Sequence, residues 1–362
     1  LTGESDPRAQ ALELSQSFAT RSFDLSCDVS LRGQVITLGK DQHLLTLVAH
    51  HGACDGSSMA VMWAELGALY RGEDLLPLAW QYADYATWHR TWLEGSDVLA
   101  RDLDYWQGHL AGAPSCLALP LDNVRDADRA RRAGVLEFSL DAALSSRLED
   151  LARSEGMTMF GVVLGVYGLL LSWLSRDEQV VIGTPVAGRD AAGSEDLIGF
   201  FVNTLALSLE VGACRTVGAL LAHTRTVVQD GLEHQQAPFE RVVEVLDVER
   251  SLAHTPVFQA MFAWQSQGMG AAGLEDIAAT LAPVGLAQAK FDLTLSMMPG
   301  TDGVLGMVEY DADLFTEARV TGWRDLLLSL LQQIAGANDD TTLSALSLVS
   351  APETAQLASF QG

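Results

Sequence analysis

The sequence predicts an α/β protein large enough for two compact lobes. Three observations carry this. Strand-like apolar runs alternate with helix-like segments along the chain, the pattern of layered α/β domains. Apolar residues make up 48% of 362, enough for buried cores and too many for a disordered chain. Third, the run 44–49 (Leu-Leu-Thr-Leu-Val-Ala) has the length and residue types of a buried strand and feeds two adjacent histidines into a turn.

Charge and cysteine usage narrow the function. The formal net charge is -25, which argues against nucleic-acid binding, since that needs a basic face. It also argues against adhesion to anionic membranes; the acidity serves solubility. Cys27, Cys54, Cys116 and Cys214 are scattered, with no CxxC pair and no Cys/His metal spacing. They read as free thiols of a reducing, cytoplasmic compartment. Residues 160–174 are apolar, but they are few and carry Gly161, Gly165 and Gly168, which suits a buried helix better than a membrane span. The first residue is Leu, and the chain is expected to be a piece of something longer.

Residues 1–22 carry a weak helical pattern. An extended segment over 23–38, a turn at 39–42 and a return strand at 43–49 form a hairpin. A helix is expected over 58–69, with Ser57 or Ser58 as its N-cap. His50 and His51 therefore sit where a strand ends and a loop begins, a common address for catalytic side chains. Neighbours on a strand point to opposite faces, so one should look into a cleft and the other into packing. A neutral imidazole can take a proton from a nucleophile and return it to a leaving group. Asp55 can fix the geometry, either by bonding an imidazole or by pairing with a distant Arg. Gly56 permits close backbone approach and leaves an N–H for an oxyanion.

Further on, 102–110 reads as a helix and 113–122 as irregular connection. The charged stretch 122–132 reads as a solvated crossing between lobes. A strand at 134–140 leads to Asp141, a good N-cap for a helix to about 155, and 157–174 is the apolar helix. Then come a strand at 178–183, a long helix at 216–235, a glycine-bearing mobile loop at 266–273 and a helix at 316–334. His223, His234 and His254 match nothing catalytic and read as surface or capping residues.

His50-His51-Gly52-Ala53-Cys54-Asp55-Gly56 resembles the HHxxxDG signature of nonribosomal peptide synthetase condensation domains, relatives of chloramphenicol acetyltransferase. Other segments follow in the family's order. Gln81-Tyr82-Ala83-Asp84-Tyr85-Ala86-Thr87-Trp88-His89-Arg90 resembles its QYxDYAxWQR segment, and Tyr105-Trp106 its YW pair. Thr184-Pro185-Val186-Ala187-Gly188-Arg189 resembles GxPVxxR, and Ile198-Gly199-Phe200-Phe201-Val202-Asn203-Thr204-Leu205 resembles IGxFVNTL. The stretches 237–243, 255–265, 290–295 and 303–315 are similar to later family segments.

The resemblance implies a chloramphenicol-acetyltransferase-like pseudodimer: two α/β lobes, each a mixed sheet with helices, meeting in a V with a tunnel between them. The N-terminal lobe would span 1–125, truncated at its start. The C-terminal lobe would span 126–348, and 349–362 would link to a following domain. The implied reaction is amide formation between a donor acyl or peptidyl thioester and the amine of an acceptor aminoacyl thioester. Upstream and downstream peptidyl carrier domains would hold both on 4'-phosphopantetheine, with an adjacent adenylation domain in the same polypeptide. No intrinsic cofactor or metal is implied.

His51 is the implied catalytic residue, with the Gly56 N–H helping the oxyanion. His50, Asp55 and Arg189 would support the motif, Arg189 pairing with Asp55 in a bidentate contact that bridges the lobes. Cys54, Ser57, Asn203 and Gln265 would line the tunnel. Cys54 reads equally as packing, and Asn203 as a structural hydrogen bond. The aromatic segments would support the fold and do no chemistry. The intact histidine pair departs from heterocyclising relatives, and no Trp-Arg extension of the epimerising type follows Ser57-Ser58. Two further readings are an ester-forming or releasing acyltransferase of the same superfamily and a catalytically silent domain that recruits partners.

Overall fold

A computed structural model describes residues 6–248, 251–265, 277, 279–280, 282 and 288–348. The expected loop at 266–273 and linker at 349–362 lie outside the described residues. The described chain forms two compact units. The first takes the residues up to Gly95, Ala187–Val202 and the few described within 269–287. The second takes Ser96–Val186, those within 203–268 and those from Gln288 on.

In the first unit, helix α1 (Pro7–Ala19) is capped by Asp6, whose carboxylate accepts from the Ala9 N–H. Strands β1 (Leu31–Gly39) and β2 (Gln42–Ala49) pair antiparallel, Leu31 opposite Ala49, around the expected turn. Helices α2 (Gly56–Tyr70) and α3 (Tyr82–Gly95) follow. The expectation of a mixed sheet in each lobe is corrected here: among the described residues this unit has a two-stranded antiparallel sheet.

The second unit holds α4 (Val98–His109), β3 (Ala133–Asp141), α5 (Ala142–Ser154), α6 (Met159–Ser175), β4 (Val180–Val186), β5 (Asn203–Leu209), α7 (Val217–Glu233), α8 (Phe239–Leu246), β6 (Ala260–Trp264), β7 (Leu293–Gly300), β8 (Gly303–Asp311) and α9 (Glu317–Ile334). Its sheet has the order β3-β8-β7-β6-β4-β5. β6 pairs parallel with β4 and β7, and the other pairs are antiparallel. Such inner strands, covered on both faces, read as continuous apolar runs, and β4 is buried from Val180 through Thr184. Helix α6 is buried along almost its whole length. A Cβ on its Gly165 would come within 2.9 Å of the Thr224 hydroxyl on α7, so its glycines serve close packing. No single helix among the described residues is long and apolar enough to cross a membrane.

Two expectations change. The lobe boundary expected near 125 falls inside the second unit. Trp106 on α4 is 1% exposed, and its indole N–H donates to the His234 carbonyl at 2.9 Å, which ties α4 into this unit. The charged stretch 122–132 is mostly exposed, as expected, but it lies within the second unit and two of its arginines are drawn inward. Arg125 donates through both terminal nitrogens to Asp292, and Arg129 donates through Nε to Asp311 at 2.8 Å. Asp292 and Asp311 lie at the mouths of β7 and β8, with side chains 4% and 2% exposed. Alternating charges read as exposed until distant partners meet them.

Removing one member of a buried ion-pair cluster strands the rest. Asp292→Ala should cost about 3–5 kcal/mol, seen as a lower urea midpoint at unchanged slope; a change under about 1 kcal/mol would mean that Arg125 and Arg129 find water instead.

Candidate active site

The site is built where β2 gives way to α2, wholly within the first unit. His50 ends the extended run and caps a 3-10 turn (His51–Ala53), its Nδ1 accepting from the Gly52 N–H at 3.1 Å. Phe23 meets its ring in a T-shaped contact at 5.8 Å. His50 is thus taken up by the fold, while His51 is exposed. His51 Nδ1 lies 3.0 Å from the Cys54 carbonyl oxygen. A carbonyl can only accept, so Nδ1 carries the hydrogen, and neutral His51 keeps its lone pair on Nε2. The Phe200 ring stands T-shaped against His51 at 5.4 Å.

Asp55, not Ser57 or Ser58, is the N-cap of α2: its Oδ1 accepts from the Ser58 N–H at 2.8 Å. The motif's aspartate is therefore the capping residue. Its carboxylate is buried and makes several further bonds. Oδ1 also accepts from Arg189 Nη2 at 3.0 Å, and Oδ2 accepts from the Phe201 N–H at 3.0 Å. The side chains of Arg189 and Asp55 are 8% and 3% exposed.

The expected Arg189–Asp55 pair is present, with two corrections. Both residues lie in the first unit, so the pair joins the 187–202 segment to the start of α2 and bridges no lobes. Only Nη2 meets the carboxylate, so the contact is not bidentate. The Arg189 fork is shared: Nη1 donates to the Ser194 and Leu197 carbonyls, and the guanidinium lies 4.2 Å over the Phe201 ring.

Sequence reasoning missed Ser58 as a partner. It is fully buried, and its hydroxyl accepts from Arg189 Nη2 at 2.8 Å and from the Gly199 N–H at 3.0 Å. Its own proton faces two acceptors, Asp55 Oδ1 and the Gly199 carbonyl, each at 2.8 Å. The Asp55 N–H donates to that same carbonyl at 3.0 Å. The aromatic segment buttresses this loop as expected. Tyr82 donates to the Phe200 carbonyl at 2.7 Å and Tyr85 to the Gly188 carbonyl at 3.3 Å. Gly188 has φ of +62°, and a Cβ there would meet the Phe201 oxygen at 2.1 Å, so the loop requires a glycine.

The remaining residues divide. Gly56 opens α2; a Cβ there would meet nothing within 4 Å, so the described fold does not demand a glycine at that position. As the first helical residue, it has an N–H with no intrahelical partner. Ser57 is exposed beside it. Cys54 is buried, its thiol 3.6 Å from Met59 Sδ, and burial pushes that thiol up from its ordinary value; this is the packing role.

In the second unit, the Asn203 amide donates to the Gln235 and Ala237 carbonyls, each at 2.8 Å. Its oxygen accepts from the Thr204 and Phe239 N–H groups at 2.8 and 3.1 Å. Its bonding capacity is spent on holding β5 to the turn before α8, the structural half of the expectation. Gln265 Oε1 is buried and, among the described residues, unpartnered. His223 accepts from the Glu210 N–H, His234 meets Asp102 and His254 meets the Thr255 carbonyl; none joins His51. Among the described residues all four cysteines are free, and no cluster suited to a metal occurs.

Burial alone would raise the Asp55 pKa, but the bonds from Ser58, Phe201 and Arg189 outweigh it and hold the carboxyl below its usual 3.8. A depressed carboxylate stabilises the fold above its unfolded value and loses that contribution as pH falls through its folded one. The stability gap between the parent and Asp55→Asn should therefore be full above about pH 5 and shrink below about pH 4. Arg189→Ala should cost about 3–5 kcal/mol and Ser58→Ala about 1–3 kcal/mol in urea unfolding at pH 7. A gap that stays constant down to pH 2 would remove Asp55 from the charged network.

Comparison with known proteins agrees with this geometry. The family model described as the condensation domain matches residues 2–358. Malpinin synthetase of Mortierella alpina is 37% identical over 88% of this chain, which spans 4% of that relative's length. The X-domain from teicoplanin biosynthesis superposes with a TM-score of 0.85 at 28% identity, covering 95% of this chain and 79% of that one. The same X-domain in complex with OxyB gives 0.83, at 28% identity and coverages of 96% and 78%. Holo-AB3403, a four-domain nonribosomal peptide synthetase bound to AMP and glycine, gives 0.82 at 25% identity, covering 92% of this chain and 27% of that one. The chain belongs to the condensation-domain family of nonribosomal peptide synthetases, acyltransferases of the chloramphenicol-acetyltransferase-like α/β fold whose general activity is amide-bond formation.

Proposed function

We propose that this chain joins an acyl or peptidyl thioester to the amine of an aminoacyl thioester, each presented on the 4'-phosphopantetheine arm of a carrier domain. The observation that carries this is the Nδ1–H bond from His51 to the Cys54 carbonyl. It leaves Nε2 as an exposed proton acceptor. In the proposed step the amine nitrogen attacks the thioester carbon, its proton passes to Nε2, the C–S bond breaks and the departing thiolate is protonated. Gly56 supplies its N–H, which has no intrahelical partner, to the developing oxyanion, and its lack of a side chain leaves room for the substrate. Ser57 borders this approach. Two tethered substrates held in line would add the advantage of proximity.

Upstream and downstream carriers and an adenylation domain in one polypeptide, working in the cytoplasm, complete the reading. Its support is family membership and the four-domain synthetase above, with its bound AMP and glycine.

A second reading has one observation in its favour, the high similarity to the X-domain found in complex with OxyB. A recruiting domain would bind a partner and transfer nothing. It leaves unexplained why His51 is held in an accepting tautomer.

Single-turnover condensation with aminoacyl-loaded donor and acceptor carriers, followed by intact mass, separates the two. Dipeptide should appear on the acceptor carrier. His51→Ala should slow its formation by about 10²–10⁴-fold while melting stays unchanged, because the side chain is exposed. Parent and variant equally inert with carriers bound would leave recruitment as the function.

A further inference from the structure

We infer that Phe200 is a positioning residue that sets the orientation of the His51 ring; the catalytic part of this inference rests on the proposed condensation reading. A single hydrogen bond to the Cys54 carbonyl fixes the tautomer of His51 but leaves the ring free to swing about that bond. The second restraint is the T-shaped contact with Phe200, at 5.4 Å and 85° between planes. Aromatic pairs favour such an edge-to-face geometry.

Phe200 itself is held by backbone bonds on both sides. Its own carbonyl accepts from Tyr82. Before it, the Gly199 N–H donates to Ser58 and the Gly199 carbonyl accepts from the Asp55 N–H. After it, the Phe201 N–H donates to Asp55. The loop is therefore clamped to the start of α2, whereas the Phe200 ring is 37% exposed. A large apolar ring left exposed on a clamped loop, against an exposed imidazole, contributes little to the core. The ring contact it makes is the edge-to-face one with His51.

On this reading the Asp55–Arg189–Ser58 network acts on His51 from a distance. It fixes the loop, the loop fixes Phe200, and Phe200 limits the arc over which Nε2 can point. A ring that wanders loses turnover more than binding, because only a fraction of encounters then finds the lone pair aimed at the amine.

The test uses the full chain with isotope-labelled histidine, His51 being identified by loss of its signals in His51→Ala. Phe200→Ala and Phe200→Leu should move the His51 ring resonances, leave the other histidines in place and leave the melting temperature unchanged. Phe200→Tyr should restore the parent's shifts. In the carrier-loaded assay Phe200→Ala should lower kcat about tenfold with little change in KM, and should have no further effect in the His51→Ala background. The inference is overturned if the His51 resonances do not move, or if Phe200→Ala reduces the rate by the same factor with and without His51. If the parent forms no dipeptide, the condensation reading fails, and the resonances alone still decide whether Phe200 holds the ring.

Discussion

A carboxylate buried at the start of a helix must be compensated, and the first unit is arranged around compensating Asp55. Leaving such a charge unpaired is far more expensive than leaving an apolar contact unmade. The donors come from Ser58 on the same helix turn and from Arg189 and Phe201, more than 130 residues later in the chain. Arg189 in turn needs the Ser194 and Leu197 carbonyls and the Phe201 ring. Each requirement recruits the next, until a loop with no regular structure of its own is fixed in register. Among the described residues this unit has few buried apolar side chains, with Tyr85, Leu197 and Phe201 as one small cluster. Polar complementarity therefore specifies its shape where a large core would otherwise do so.

The second unit is ordered by the opposite principle. Its continuous core runs from Trp106 through α6 and the inner strands to α9, and two of its buried carboxylates, Asp292 and Asp311, sit at strand mouths paired with arginines. Asn203 shows how a polar residue survives at the head of a buried strand: all of its bonding capacity is spent on neighbouring main chain. Between β4 and β5 the chain leaves this unit at Ala187 and returns at Asn203. The excursion carries Arg189, Gly199 and Phe201, the distant residues that bond Asp55 and Ser58. One sequence segment, from Pro185 to Leu205, thus belongs to both kinds of order.

Much of this was legible in the residues. The hairpin, the Asp141 cap and the apolar α6 follow from periodicity and capping chemistry, which are local. The Asp55–Arg189 pair was legible only through family resemblance, because no local signal links positions so far apart. Three things were not legible. Asp55 as helix cap lost out to the serines beside it, although Asp-x-x-Ser is as good a capping pattern. In the charged run at 122–132, the burial of Arg125 and Arg129 was hidden because their partners, Asp292 and Asp311, lie at the ends of distant strands. The lobe boundary was misplaced because α4 is tied to the second unit by Trp106 and the distant His234 carbonyl, a contact with no local signal.

The histidine pair shows how backbone partners alone can make two identical side chains unequal. His50 Nδ1 accepts from a main-chain N–H, so its neutral form must carry its hydrogen on Nε2. His51 Nδ1 donates to a main-chain carbonyl, so its neutral form must leave Nε2 bare. The two tautomers are opposite, and each is dictated by whether the nearest peptide group is a donor or an acceptor. The 3-10 turn His51–Ala53 supplies both, presenting the Gly52 N–H to the first ring and reaching the Cys54 carbonyl just after its end. A proton acceptor at position 51 is thus a consequence of how the chain turns after β2. The turn, in turn, is held by the cap that Asp55 places on α2.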